Sequence, residues 1–110
     1  MDWKDSYRNL KTLAAPILAA AGYEELEEHF NPEVMGSAYS EWANGEMRVR
    51  VIWDGREAWG CFEKRENGNW RFSTSHADKQ ALRSAVPVHR HAEALLQELR
   101  RMLAEHPPAN

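Results

Sequence analysis

The chain predicts an α+β fold in two layers: an N-terminal helix, an antiparallel meander of four to five strands, and a C-terminal helix. Three observations carry that expectation. The dipeptides Asn44-Gly45, Asp54-Gly55 and Asn67-Gly68 punctuate runs of β-branched and aromatic residues, and such pairs tolerate the positive φ angles of tight hairpins. On either side of this middle section apolar residues recur at three- and four-residue steps, as in amphipathic helices. The 110 residues, 43% hydrophobic and 28% charged, suffice for one core and not for two, so residues 1–110 are read as a single domain.

The first helix is read from Trp3, Tyr7, Leu10, Ala14, Ile17 and Ala21, which form a stripe along one side. Asp2 is placed to cap its start and Gly22 to stop it in a left-handed conformation. Pro16 removes a backbone donor and is expected to kink or restart the helix. In residues 23–35, Tyr23, Leu26 and Phe30 are spaced as in a helix, yet a strand over residues 24–30 also sets Leu26 and Phe30 on one face. The reading adopted is an edge strand followed by a turn at Asn31-Pro32.

Two-residue turns predict the pairing of the meander. A turn at Asp54-Gly55 sets Trp53 opposite Arg56, Val51 opposite Ala58, Val49 opposite Gly60 and Met47 opposite Phe62. A turn at Asn44-Gly45 sets Trp42 opposite Met47, Ser40 opposite Val49 and Ala38 opposite Val51. At the third turn, a three-residue loop of Glu66, Asn67 and Gly68 sets Phe62 opposite Phe72 and Lys64 opposite Trp70, and puts both aromatics inside. A two-residue loop would turn Phe72 outwards. The expected core face is therefore Trp42, Met47, Val49, Val51, Trp53, Ala58 and Phe62. Residues 74–86 read as a loop or short helical turn. Pro87 then suits the first position of a final helix whose stripe is Val88, Ala92, Leu95, Leu96, Leu99, Met102 and Leu103. Arg90, Glu93, Gln97, Glu98 and Arg101 are expected outside, with His106-Pro107-Pro108 as the end.

The opposite sheet face is the more telling surface. The pairing collects Tyr39, Glu41, Arg48, Arg50, Ile52, Glu57, Trp59, Cys61, Glu63, Arg71 and Ser73 there, with Glu41 facing Arg48 and Arg50 lying between Tyr39 and Trp59. Tyr, Trp and Arg are the usual anchors of protein contacts. The rival readings are that these are only stabilising cross-strand pairs, or that the final helix covers this face. Charge supplies a second surface. Residues 1–46 hold nine acids and three bases, for −6, while residues 47–110 hold eight acids and eleven bases, for +3. Glu24, Glu25, Glu27, Glu28 and Glu33 fall within ten residues. Such a segment favours encounter with a basic protein and disfavours nucleic acid, whose affinity comes mainly from phosphate neutralisation; the alternative is a solvated surface that keeps the protein in solution. Glu41, Glu57 and Glu63 oppose base stacking on the sheet for the same reason.

Signals for chemistry are absent. No glycine-rich phosphate loop, Gly-x-Ser-x-Gly or His-Glu-x-x-His occurs. His89 and His91, two apart on a helix, would point about 200° apart, and no histidine has a ligand partner at a recognised spacing. Cys61 reads as a structural thiol. No catalytic residue, metal or cofactor is expected. A lone cysteine fits a reducing cytoplasm, no apolar run approaches the roughly 20 residues of a membrane span, and Met1-Asp2-Trp3-Lys4-Asp5 is unlike a signal peptide.

Phe30-Asn31-Pro32-Glu33, Gly36-Ser37, the run Arg50-Val51-Ile52-Trp53-Asp54-Gly55-Arg56-Glu57 and Trp70 resemble small bacterial proteins that serve as immunity partners of secreted toxins. The resemblance covers about a third of the chain, within residues 30–70. It implies a cytoplasmic, non-enzymatic protein that binds a toxin and occludes its active site. A basic nuclease surface would be complementary to an acidic inhibitor. The expected contact residues are Glu24, Glu25, Glu27, Glu28, Glu33, Tyr39, Arg50 and Trp59. The alternative is a homodimeric structural or adaptor domain joined through the aromatic sheet face.

Overall fold

Helix α1 spans Trp3–Ala20, and its four fully buried apolar residues, Tyr7, Leu10, Ala14 and Leu18, lie on the stripe that faces the sheet. Leu18 completes the stripe in place of Ala21, which is exposed. The computed structural model describes residues 3–105, so the expected cap at Asp2, the Trp3 side chain and the stop at His106-Pro107-Pro108 lie outside the described residues. Of the kink or restart expected at Pro16, the restart does not occur: α1 is one helix through it. Pro16 and Thr12, whose carbonyl loses its donor, are both on the exposed side, where water can satisfy that oxygen. Gly22, at φ +87°, ends the helix as expected: Gly22 N–H donates to Ala19 O at 3.0 Å and Tyr23 N–H to Leu18 O at 2.9 Å, a Schellman closure.

Five antiparallel strands follow in sequence order: β1 (Glu24–Asn31), β2 (Ser37–Asn44), β3 (Met47–Asp54), β4 (Trp59–Glu66) and β5 (Asn69–Phe72). A two-residue strand, β6 (Ala77–Asp78), pairs with β4 at Trp59 and Gly60, and α2 (Arg90–Ala104) closes the order. α1 packs on β2, β3 and β4, while α2 packs on α1, β4 and β6. Both helices share one side of the sheet, which gives the expected two-layer α+β fold with β1 as an edge.

The faces of β2, β3 and β4 follow the expected alternation, but the registers do not. β2 and β3 pair as Trp42↔Val49, Ser40↔Val51 and Ala38↔Trp53, so the connecting loop is Gly45-Glu46, one residue later than expected. Gly45 takes φ +60° at the first central position, where a type II′ turn requires glycine. Between β3 and β4 the shift is larger: Trp53 faces Gly60, Val51 faces Phe62 and Val49 faces Lys64. Asp54 makes the difference. Its Oδ1 accepts from Arg56 N at 3.0 Å and Glu57 N at 3.2 Å, and its carbonyl accepts from Ala58 N at 2.8 Å, which builds a four-residue loop. Ala58, expected in the core, sits in that loop at φ +60° and is exposed. At the third turn the two-residue loop wins: Asn67 and Gly68 take φ +50° and +81°, and Glu63 faces Phe72, Lys64 faces Arg71 and Arg65 faces Trp70. Phe72 is therefore outside and 59% exposed, and Arg71 and Ser73 lie on the helix side, contrary to expectation.

The β2–β3 and β3–β4 shifts are by two and four residues, so the core face of β2, β3 and β4 survives, whereas the one-residue shift at the third turn reverses β5. Trp42, Val49, Val51, Trp53 and Phe62 are buried, with Met47 at the margin. Lys64 is an unforeseen member of that face. Its Nζ donates to Met102 O at 2.7 Å and Glu105 O at 2.6 Å, satisfying carbonyls at the end of α2. Segment 74–86 holds β6 and a turn in which Asp78 accepts from Ala81 N and Leu82 N, with Leu82 fully buried. α2 starts later than expected. His89 is its N-cap, so Pro87 lies before the helix and Val88 is 41% exposed rather than in the stripe. Glu98, expected outside, is buried and accepts from Thr74 N and Ser75 N, both at 2.7 Å. That carboxylate ties α2 to the strand ends.

Candidate functional site

The sheet face away from the helices carries Tyr39 and Glu41 from β2, Arg48, Arg50 and Ile52 from β3, Cys61 and Glu63 from β4, and Trp70 and Phe72 from β5. Among the described residues no helix or strand lies over it. Arg50 is its centre. Nε donates to Glu41 Oε1 at 2.9 Å and Nη1 to Glu63 Oε1 at 3.1 Å, while the guanidinium carbon stands 4.0 Å from the Trp70 ring centre and 5.1 Å from that of Tyr39. Two carboxylates and two rings from β2, β4 and β5 thus hold the one cation of β3 in place.

The charges of this cluster are tuned by burial. Burial alone would lower the Arg50 pKa, but hydrogen bonds to Glu41 and Glu63 outweigh it and hold the guanidinium above its ordinary value. Burial pushes the Glu63 carboxyl up, against the pull of Arg50. Burial also pushes the Cys61 thiol up to about 12, reinforced by Asp54 and Glu63, so it stays protonated at neutral pH and is no thiolate nucleophile. Phe72 and the rim of Trp70 then offer apolar surface beside a rigid cationic centre.

The structure regroups the residues expected to bind. Tyr39 and Arg50 are together as anticipated, but the ring completing the clamp is Trp70 rather than Trp59. The β3–β4 shift sets Trp59 opposite Asp54 at the far end of the strand, where it stacks on His76 at 3.9 Å. Glu41 pairs with Arg50 directly and with Arg48 only at 3.8 Å. Glu57 belongs to the loop before β4. The acidic segment is divided between two sides of the sheet. Glu25 and Glu28 turn towards α1, where Lys11 Nζ reaches them at 2.6 and 2.8 Å and Tyr7 Oη donates to Glu28 at 2.7 Å. Burial would raise the Glu28 carboxyl, but the bonds from Lys11 and Tyr7 hold it below its ordinary value. Glu24 and Glu27 face the other way, opposite Ala43 and Glu41, and Glu27 approaches His29, whose ring lies 4.9 Å from Tyr39. Glu33 is in the turn after β1.

Sequence pattern does not place Trp70 and Phe72 on this face, because a three-residue loop that buries Phe72 is favoured over one that exposes it. The signal was present in Asn67-Gly68, whose two positive φ angles specify a two-residue turn. The histidines also differ from expectation: His89 is a cap and not a helical residue, so its ring sits 5.1 Å from that of His91. Among the described residues no group of three or more His, Cys, Asp or Glu is placed to hold a metal ion, and no helix is long and apolar enough to cross a membrane. On the helix side, an apolar groove of about 600 Å³ runs between Pro16, Ile17 and Ala20 of α1 and Arg100 and Leu103 of α2. Compared with known proteins, the chain matches no family profile, no curated protein and no solved structure.

Proposed function

We propose that this is a non-enzymatic binding protein of the immunity type, which inhibits a bacterial toxin by covering its active site with the open sheet face. The observation that carries this reading is the Arg50 clamp: a cation fixed by Glu41 and Glu63 between Tyr39 and Trp70, next to exposed Phe72. Such pre-organisation lowers the entropy lost on docking, and aromatic–arginine centres commonly carry most of an interface's energy. Glu24 and Glu27 extend the same side of the sheet with negative charge, which suits a basic toxin surface.

Co-expression with a toxic domain encoded beside the protein tests the proposal. Wild type should restore growth, whereas Trp70→Ala and Phe72→Ser should protect poorly while melting within a few degrees of wild type. Full protection by both variants would remove the sheet face from the mechanism. Exposed Phe72 also favours the second reading, a homodimer through this face, in which Phe72→Ser would convert a sedimenting dimer to monomer.

A further inference from the structure

We propose that Asn67 is a site of spontaneous covalent modification, in which loss of its side-chain amide converts the β4–β5 turn to an isoaspartyl linkage and releases β5. The chemistry stands whatever the protein binds. Its consequence rests on the reading of the open sheet face as the contact, because β5 carries Trp70 and Phe72. Asn67 and Gly68 are the two central residues of the turn, both exposed, at φ +50° and +81°. Among the described residues the Asn67 side chain has no hydrogen-bonding partner and the Gly68 amide no acceptor. Glycine is the least hindered residue that can follow an asparagine, since it has no Cβ and its backbone is free to bring the nitrogen onto the side chain. Exposed hairpin tips are also where a chain opens most readily.

A second observation is the contrast with Asn44-Gly45, the same dipeptide at the other end of the meander. Asn44 is the last residue of β2 and pairs with Met47. Its Nδ2 donates to Ala21 O at 3.1 Å and lies against Gly22, where an added Cβ would stand 2.9 Å from it. The Asn44 amide group is thus held on the end of α1, whereas that of Asn67 is free to turn. The sequence permits one reaction at two places, and the fold leaves it to one.

Water is the only co-reactant. The Gly68 nitrogen bonds to Asn67 Cγ and closes a five-membered imide. The Cγ–Nδ2 bond breaks, and ammonia leaves with the proton of the Gly68 amide. Water then opens the ring. Attack at Cγ leaves an ordinary aspartyl residue, while attack at the main-chain carbonyl leaves the chain running through Cβ and Cγ, one methylene longer. The register of β5 depends on the length of this turn: two residues put Trp70 and Phe72 on the open face, and a longer backbone removes the geometry that does so. β5 has four residues and pairs only with β4, so no second neighbour holds it. The ion pairs of Arg71 with Glu66 at 3.0 Å and Glu105 at 2.6 Å need the same register. Release of β5 takes the Trp70 ring from Arg50, and with it one wall of the clamp.

The test ages the isolated protein in mildly alkaline buffer and follows both Asn-Gly pairs by peptide mass spectrometry. In the folded protein Asn67 should lose its amide at least tenfold faster than Asn44, and the two rates should converge in urea, where α1 no longer holds Asn44. The isoaspartyl form, separated by ion exchange, should show β5 amides exchanging with solvent tenfold faster or more, with those of β2 and β3 unchanged. Asn67→Gly accepts the same φ, cannot form the ring and should keep β5 protected through the same incubation. Should that variant fail to fold, the comparison of Asn67 with Asn44 in wild type still decides. The proposal is overturned if Asn67 keeps its amide, if Asn44 reacts as fast in the folded protein, or if the isoaspartyl form protects β5 as well as fresh protein does. Failure of fresh wild type to restore growth in the co-expression assay would instead overturn the immunity reading, and these rates are unaffected by it.

Discussion

Gly55 is a glycine for reasons of space. Its φ is not in the left-handed region, but a Cβ there would fall 2.0 Å from the Met35 carbonyl oxygen, because the β1–β2 turn leans on the β3–β4 loop. Gly55 N–H also donates to Ser37 Oγ at 2.9 Å. Gly55→Ala should therefore cost about 1–3 kcal/mol in urea unfolding, as overpacking against a backbone atom does. At Gly60 the close contacts of an added Cβ are the ends of Leu10 and Leu82, which can turn aside, with the Ala77 carbonyl at an ordinary 3.6 Å, so the cost of Gly60→Ala should be the smaller of the two. Trp53, 1% exposed, belongs to the other class: Trp53→Ala should cost about 3–5 kcal/mol by opening a cavity. Burial of Trp53 was legible from alternation alone, whereas the role of Gly55 depends on a loop distant in sequence. The same distinction separates Tyr39, whose neighbours are set by alternation and one short turn, from Trp59, whose neighbours depend on the length of a loop.

Elements were more legible than their registers. A strand's side chains alternate with period two, so a pairing wrong by two or four residues still sends Trp42, Val49, Val51 and Phe62 inwards. Loop lengths, in contrast, were decided by side chains acting on backbone. Asp54 lengthened one loop by accepting two amides, and His89 delayed α2 by capping it with Nδ1 on His91 N. Glu98 shows the energetic side of such ties. Burial would raise its carboxyl, but the Thr74 and Ser75 amides outweigh that and hold it below the ordinary 4.5. A carboxylate with a depressed folded pKa adds stability that is present above the unfolded value and lost as pH falls through the folded one. Glu28 acts in the same sense and Glu63, whose carboxyl is raised, in the opposite one. Wild type should accordingly lose stability when the pH drops below about 4.5, and Glu98→Gln should show a shallower loss between neutral and acid pH in matched urea melts. An equal acid slope in both proteins would mean that the tie to Thr74 and Ser75 contributes nothing.

At the scale of the whole molecule, the proposed binding role has two candidate surfaces: the open sheet face with its Arg50 clamp and the groove between α1 and α2. The acidic run looked like one patch in the sequence, but a strand must distribute it, and Lys11 claims Glu25 and Glu28 for the fold. Charge reversal should therefore act differently by side. Glu24→Lys with Glu27→Lys should slow association and leave the melting temperature nearly unchanged, while Glu25→Lys with Glu28→Lys should lower it. Stopped-flow association at low and physiological salt, beside thermal melts, separates the two effects. On the immunity reading the sheet face is the contact, and hydroxyl-radical footprinting of the protein mixed with the toxic domain that this reading assigns to it tests that most directly. Tyr39, Trp70 and Phe72 should become several-fold less reactive in the complex while Ile17 and Leu103 keep their free rates. Protection of Ile17 and Leu103, with Tyr39, Trp70 and Phe72 unchanged, would contradict it.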